Sequence, residues 1–181
     1  MYNVAVIVGS LRKESINKKL AKALMRIGKG KLNFIPVEIA DIPLYNQDME
    51  NEMPAPVARM KAAVAAADAV LFVTPEYNRS MPGVLKNVID WGSRPYGQNV
   101  WAGKPAAVAG TSPGHVATAV CQSHLRSILT MLGMVLASQP EVYIVDRPGL
   151  IGDDGSVSDD GTEKFLLSFV TRFAEWIGGT K

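Results

Sequence analysis

Five short and largely apolar runs constrain the fold of this chain more than any other feature. The clearest of them, residues 69–73 (AVLFV), stops just before the helix breaker Pro75 and has no polar side chain on either face. A strand of this kind is buried on both sides, which is typical of a parallel sheet covered by helices on both faces. The five predicted strands are residues 3–8, 32–37, 69–73, 104–110 and 141–145.

Segments with helical spacing of apolar residues alternate with these runs. In the first of them, Leu20, Leu24 and Ile27 share one face of a predicted helix that starts near Ser15. Alternating strands and helices predict an α/β fold, a flavodoxin-like three-layer sandwich with a five-stranded parallel sheet, in a single domain of residues 1–181. The later predicted helices cover residues 56–67, 84–91, 116–132 and 165–177.

The charge and hydropathy of the chain argue against several classes of partner. Nineteen basic and 17 acidic residues leave a formal charge of +2, and no basic run is long enough to follow a nucleic-acid backbone. No apolar stretch approaches the length of a membrane span, and the N-terminus starts with a strand pattern instead of a secretory signal. We therefore expect a cytoplasmic protein with no nucleic-acid and no membrane partner. One cysteine and two histidines offer no metal-ligand spacing, so no metal is expected.

Residues 110–114 (GTSPG) match the G-x-S-x-G pattern of serine hydrolases, and they fall between a strand and a helix as that pattern requires. The hydrolase mechanism uses the backbone N–H after the serine as an oxyanion donor, but Pro113 has no N–H. Both histidines also precede Asp146, whereas that fold supplies its acid and then its base after the serine. The sequence therefore argues against a serine hydrolase.

Residues 9–17 (GSLRKESIN) connect the first strand to the first helix and are rich in hydrogen-bond donors. Backbone N–H groups at a helix N-terminus and the helix dipole attract anions. Ser10, Ser15 and Asn17 can add side-chain donors, and Arg12 can add a positive charge. The segment predicts a phosphate site.

Residues 74–83 (TPEYNRSMPG) follow the third strand and form a loop stiffened by two prolines. Tyr77 offers an aromatic ring to a planar ligand, and the backbone amides of residues 76–78 can donate to nitrogen and oxygen atoms of a flavin. Asn78 can also anchor the loop itself. In a doubly wound sheet both loops lie at the carboxyl ends of the strands, where ligands bind.

These two segments, extended to TPEYNRSMPGVLKNVIDW, resemble the NADPH-dependent FMN reductase family, and in particular its chromate and quinone reductase branch. Residues 41–45 (DIPLY) and 103–105 (GKP) fit the same family. The resemblance implies that FMN is the bound cofactor. It places the FMN phosphate on Ser10, Arg12, Ser15 and Asn17, the isoalloxazine ring against Pro75, Glu76, Tyr77 and Asn78, and Ser112 at the border of the ring.

The resemblance also implies an activity: hydride transfer from NADPH or NADH to the flavin, followed by reduction of a small-molecule acceptor. Quinones, flavins and metal oxyanions such as chromate are the expected acceptors. Because the flavin carries this chemistry, no catalytic acid or base is predicted. A homodimer or homotetramer is expected, in which an aromatic segment with Trp91, Tyr96 and Trp101 either joins the subunit contact or belongs to the core.

Two other classes remain open from sequence alone: a flavodoxin-type electron carrier and a binding module without flavin. Flavodoxins are strongly acidic, which the near-neutral balance of this chain does not match. Arg79 departs from the family pattern. We interpret it either as a site that attracts an anionic acceptor or the 2′-phosphate of NADPH, or as part of an ion pair between subunits.

Overall fold

The computed structural model describes residues 1–180 and alternates strands with helices along the chain. A short 3-10 turn, Gln47–Met49, interrupts the long loop after the second strand. The strands are β1 (Tyr2–Val8), β2 (Leu32–Pro36), β3 (Ala69–Val73), β4 (Pro105–Ser112), β5 (Val135–Leu136) and β6 (Val142–Val145). The helices are α1 (Ile16–Ile27), α2 (Ala55–Ala66), α3 (Gly83–Gly92), α4 (Ala119–Met131) and α5 (Asp160–Gly179).

All strands pair in parallel in the order β2-β1-β3-β4, and β5 and β6 both lie beside β4. β5 pairs with Pro105 and Ala106 at the start of β4, whereas β6 pairs with residues 109–112 at its end. The fifth position of the predicted sheet is thus filled by two short strands. The segment between β5 and β6 contains Pro140, which has no N–H to donate to a strand ladder. In the same segment, the Ala137 carbonyl accepts a hydrogen bond of 2.8 Å from Arg126 of α4.

Side chains on alternate positions of the central strands enter two separate cores. Val4 and Val6 of β1 pack toward α1 and α5, while Ala5 and Ile7 pack toward α2, α3 and α4. Every residue of β3 is buried, as a strand covered on both faces requires. This arrangement confirms the predicted α/β sandwich with three layers.

Two helices begin three or more residues away from their predicted starts. α5 starts at Asp160, five residues early, because the Asp159 carboxylate caps it by accepting the Thr162 N–H at 2.7 Å. α4 starts at Ala119, three residues late, because Ala117 has a φ of 50° that no α-helix contains. Apolar spacing finds the buried face of a helix, but its ends depend on caps and on local backbone geometry.

The aromatic segment after the third strand divides between core and surface. Trp91 and Trp101 are fully buried, and their indole N–H groups donate to the Pro43 and Ile89 carbonyls. Tyr96 is 93% exposed. The expectation of a subunit contact is therefore wrong for the two tryptophans, and it stays a prediction for Tyr96.

Length and hydropathy of the helices bear on the membrane prediction. Within residues 1–180 no helix combines enough length with enough apolar character to cross a membrane.

Candidate functional site

The loops after β1, β3 and β4 meet at the carboxyl edge of the sheet and enclose a cleft of about 140 Å³. This is the place where a doubly wound sheet binds its ligands. Of the nine residues predicted to hold the cofactor, only Asn78 does not line the cleft. Sequence reasoning missed Ile16, Thr111 and Pro113 as wall residues. The lining consists of Ser10, Arg12, Ser15, Ile16, Asn17, Pro75, Glu76, Tyr77, Thr111, Ser112 and Pro113.

One wall of the cleft is the N-terminus of α1. Ser15 is the N-cap residue, and its hydroxyl oxygen accepts the Lys18 N–H at 3.4 Å, which leaves its own O–H free to donate. Ser10 and Ser15 are buried, at 5% and 4% exposure. No acidic residue lies in the first turn of α1, and Arg12 has no ion-pair partner within residues 1–180. The donors and the unmatched positive charge fit a phosphate group.

Asn17 lies at the base of the same wall, but its side chain already has partners. Its amide donates to the Thr111 carbonyl at 2.9 Å and accepts the Thr111 N–H at 3.0 Å. The first turn of α1 is thereby fastened to the end of β4. A role of Asn17 toward phosphate stays a prediction.

A tight turn shapes the loop after β3. Tyr77 and Ser80 exchange two backbone hydrogen bonds of 2.9 and 3.0 Å, and Asn78 and Arg79 between them have φ values of 51° and 62°. Two successive positive φ values define a type I′ turn, in which asparagine is well tolerated. Asn78 therefore occupies a position in this turn that requires a positive φ. Tyr77, the first residue of the turn, is 51% exposed and lines the cleft.

Glu76 joins this loop to α4 through its carboxylate. One oxygen accepts the Cys121 N–H at 2.9 Å, and the other accepts from Arg79 at 3.1 Å. The N-cap residue of α4, Thr118, makes no side-chain capping bond, so Glu76 supplies a cap from a neighbouring loop. The glutamate was predicted to act through its backbone amide, and its side-chain role depends on packing that sequence does not reveal.

Replacing Glu76 by alanine removes this cap and leaves the Cys121 N–H without its acceptor. We expect Glu76→Ala to lower the free energy of unfolding by about 2 kcal/mol, measured by urea denaturation of the flavin-free protein. Glu76→Gln is the matched control, because its amide oxygen can still accept from Cys121, and it should lose less than half as much. Equal losses in the two variants would contradict the capping role.

Arg79 forms an ion pair within its own chain. Its guanidinium contacts Glu76, although 65% of the arginine side chain stays exposed. The sequence had offered an external anion or a partner subunit as the counterion. The structure adds a third arrangement, in which Glu76 already offsets part of the positive charge and the exposed part faces outward from the loop.

Ser112 has no hydrolase geometry. Its hydroxyl oxygen accepts the Gly114 N–H at 3.2 Å, and the residue ends β4 instead of occupying a sharp strand-to-helix turn. The Nδ1 atom of His124 lies 3.2 Å from the Ser80 hydroxyl oxygen, so the hydrogen-bond partner of this ring nitrogen is Ser80 and not Ser112. Ser112 and Pro113 thus form a wall of the cleft, in agreement with the argument against a nucleophile. Within residues 1–180 no group of three His, Cys, Asp or Glu side chains could hold a metal ion.

Cys121 lies behind the cleft as a buried thiol. Burial raises the pKa of this thiol to about 11, and its sulfur lies 3.7 Å from the Thr74 hydroxyl. Only about one molecule in a thousand then carries the thiolate at pH 8. The residue is suited to packing and not to nucleophilic chemistry.

We expect native protein to react with iodoacetamide at least about 100 times more slowly at Cys121 than urea-unfolded protein does at pH 8, because thiolate and access are both lost on folding. The rate should climb as pH rises toward 11, since the thiolate fraction grows until the pH reaches the pKa. Equal rates in native and unfolded protein would show that the thiol is exposed.

A doubly wound sheet with a helix N-terminus and a rigid polar loop at its carboxyl edge is typical of the class of flavodoxin-like proteins, in which such helix termini often bind phosphate groups. Within that class, residues 2–147 match the sequence profile described as NADPH-dependent FMN reductase, which is most of the chain. The chain belongs to this family.

Individual relatives agree with the assignment. The chain is 48% identical over 174 residues to a 2-hydroxy-1,4-benzoquinone reductase of a Burkholderia species, covering 96% of this chain and 95% of the other. It is 49% identical over 178 residues to a quinone reductase of Pseudomonas putida, covering 98% and 95%. Among solved structures, the flavoenzyme NAD(P)H:(acceptor) oxidoreductase FerB of Paracoccus denitrificans superimposes with a TM-score of 0.96 at 49% identity, covering 99% of each chain.

Proposed function

We propose that this protein binds FMN in the cleft and uses NADPH or NADH to reduce small-molecule acceptors, with quinones as the principal substrates. The observation that carries the proposal is the convergence of buried hydroxyls, an unmatched arginine and a helix N-terminus at one end of the cleft, in a chain of this family. The names of its relatives support quinones as acceptors. Flavins and metal oxyanions such as chromate are further proposed acceptors.

Three residues are proposed to hold the phosphate of FMN. Ser10 and Ser15 donate hydroxyl hydrogen bonds, and Arg12 adds its charge from the rim of the cleft. Their chemistry fits a phosphate dianion, which prefers charge-assisted donors. Asn17, which resemblance assigns to the same group, is considered in the next subsection.

The remaining walls are proposed to contact the isoalloxazine ring. Pro75, Glu76 and Tyr77 form one side, and Ser112 forms the border. When bound, FMN supplies the chemistry by accepting a hydride from NAD(P)H and passing the electrons to the acceptor. The residues of the chain bind and orient, and none is proposed as a catalytic acid or base. The cleft, at about 140 Å³, is smaller than the roughly 300–1,000 Å³ that encloses a whole drug-sized ligand, so part of a bound FMN is proposed to lie outside it.

Arg79 is proposed to attract an anion at the edge of this site, through the part of its guanidinium that Glu76 does not cover. If the anion is the 2′-phosphate of NADPH, Arg79→Ala should raise the KM for NADPH about fivefold and leave the KM for NADH unchanged, as expected for one exposed charge-assisted contact. If it is the acceptor, the KM for chromate should rise while that for a neutral quinone does not. Unchanged KM values for all four substrates would contradict both roles.

We further propose that residues 1–181 form one flavin-binding domain that assembles as a homodimer or homotetramer in the cytoplasm. The single parallel sheet supports the domain assignment. Exposed apolar side chains support assembly, including Tyr96 and the 74% exposed Met131. Sedimentation equilibrium of the FMN-loaded protein distinguishes a monomer from a dimer and a tetramer.

A steady-state assay tests the proposed function. Purified protein is reconstituted with FMN and mixed with NADPH and 1,4-benzoquinone, with no other protein present. We expect continuous NADPH oxidation that depends on both FMN and quinone. Bound FMN without turnover would favour a flavodoxin-type carrier, an alternative that the relatives do not favour. Failure to bind FMN would contradict both.

A further inference from the structure

Asn17 and Thr111 form a two-bond pair between segments that are 94 residues apart in the chain. The Asn17 amide donates to the Thr111 carbonyl and accepts the Thr111 N–H, at 2.9 and 3.0 Å. Both residues are buried, at 1% and 0% exposure. A side-chain amide that pairs in this way presents the same donor and acceptor as the backbone of a neighbouring strand.

The position of Thr111 explains why such a partner is needed. The last residues paired between β3 and β4 are Val73 and Ala109, and the Thr74 N–H then bonds to the Ala109 carbonyl. β3 ends at that point, so within residues 1–180 no strand pairs with the backbone of Thr111 on this edge. Its hydroxyl bonds to the Ile144 carbonyl on the opposite, β6 side. Asn17 thus continues the sheet for one residue where β3 has ended.

The pair also links two walls of the cleft. Asn17 lies two residues after the N-cap Ser15, and Thr111 directly precedes Ser112. The bond to the Thr111 carbonyl uses one of the two amide hydrogens of Asn17, so one side-chain donor is left for another partner. The wall proposed to hold the phosphate and the wall proposed to border the ring are therefore held at a fixed distance through this contact.

We propose that Asn17 is a positioning residue, which sets the α1 wall against the Ser112 wall, instead of a ligand of the FMN phosphate. The proposal rests on the proposed function, since it concerns how the same cleft receives its flavin. Because Ser15 caps α1 without help from Asn17, loss of the pair is expected to displace the Ser112 wall beside the ring and to leave the phosphate wall in place. The proposal therefore predicts that Asn17 matters equally for flavins with and without a phosphate group.

Riboflavin, which lacks the phosphate, separates the two roles when its affinity is compared with that of FMN. For Asn17→Ala we expect the dissociation constants of FMN and of riboflavin each to rise at least about fivefold, with the ratio between them changed less than about threefold. Arg12→Ala is the control for a phosphate contact and should weaken FMN about tenfold while leaving riboflavin nearly unchanged. The visible circular dichroism of the bound flavin should also change in Asn17→Ala, because the wall beside the ring moves, and it should not change in Arg12→Ala.

An Asn17→Ala variant that loses FMN affinity but binds riboflavin like the wild type would overturn the proposal. Hydrogen exchange of the wild-type protein without flavin provides a second measurement that does not depend on a variant folding. The Thr111 amide should be protected before FMN is added, and rapid exchange in the flavin-free protein would also overturn the proposal. If the wild type binds neither flavin, the proposed function fails, while the exchange experiment still reports on the pair.

Discussion

Replacing Ser15 by aspartate is expected to weaken FMN binding severely while the protein remains folded. Aspartate is as good an N-cap residue as serine, so α1 keeps its first turn. The new carboxylate, however, occupies a buried position in the wall proposed to hold a phosphate. Two like charges about 4 Å apart repel by about 4 kcal/mol near a protein surface, which corresponds to a loss of affinity on the order of a thousandfold.

Isothermal titration of the flavin-free protein with FMN measures this loss, and two controls assign its cause. Ser15→Asn has a similar shape and also caps helices but carries no charge, so its FMN affinity should stay within about tenfold of the wild type. Ser15→Asp should bind riboflavin far better than FMN, because riboflavin has no phosphate to repel. If Ser15→Asp binds FMN as the wild type does, the phosphate lies elsewhere.

Gly110→Ala is expected to produce the largest loss of stability near the cleft. A Cβ atom at this position would lie 2.4 Å from both the Thr74 carbonyl oxygen and the Thr118 hydroxyl oxygen. The Thr74 oxygen belongs to the backbone and cannot move without separating β3 from β4. We expect a cost of about 3 kcal/mol, the upper end for overpacking, and a fall in Tm of about 6–12 °C. FMN affinity should fall as well, because Thr74 begins the loop that carries Tyr77.

Gly114→Ala is the matched control in the same segment. The nearest atom to a Cβ at Gly114 is the Ser112 hydroxyl oxygen at 3.7 Å, an ordinary van der Waals distance. Its stability should stay within about 0.5 kcal/mol of the wild type, as measured by calorimetry. Similar losses in the two variants would mean that the segment tolerates no side chain for reasons other than the contact with Thr74.

The central strands could be predicted from sequence because their environment is uniform. β3 is buried on both faces, so its apolar run gives both its position and its parallel pairing, and the predicted bounds match the observed ones. β5 could not be predicted, because two residues are too few to show a pattern, and the contact of the following Ala137 carbonyl with Arg126 of α4 is a tertiary one. Pattern reasoning therefore finds strands whose burial is continuous and misses those that tertiary contacts create.

The candidate site shows the same division. That Ser10 and Ser15 line the cleft could be predicted, because the segment between a strand and the helix N-terminus after it has a local geometry that favours anions. The contacts of Glu76 with Cys121 and of Asn17 with Thr111 bridge segments 45 and 94 residues apart, so no local pattern contains them. Sequence thus indicated which residues line the cleft, but it did not show which of them hold the cleft together.

An anaerobic experiment in two steps tests the central claim most directly, namely that this cleft passes electrons from NAD(P)H through FMN to a small acceptor. The FMN-loaded protein is titrated with NADPH without oxygen, and a quinone is then added to the reduced protein. We predict that the visible flavin absorption bleaches with one NADPH per FMN and returns fully with one quinone per FMN. Flavin absorption that stays unchanged by NADPH, or that bleaches but does not recover with quinone, would contradict the account.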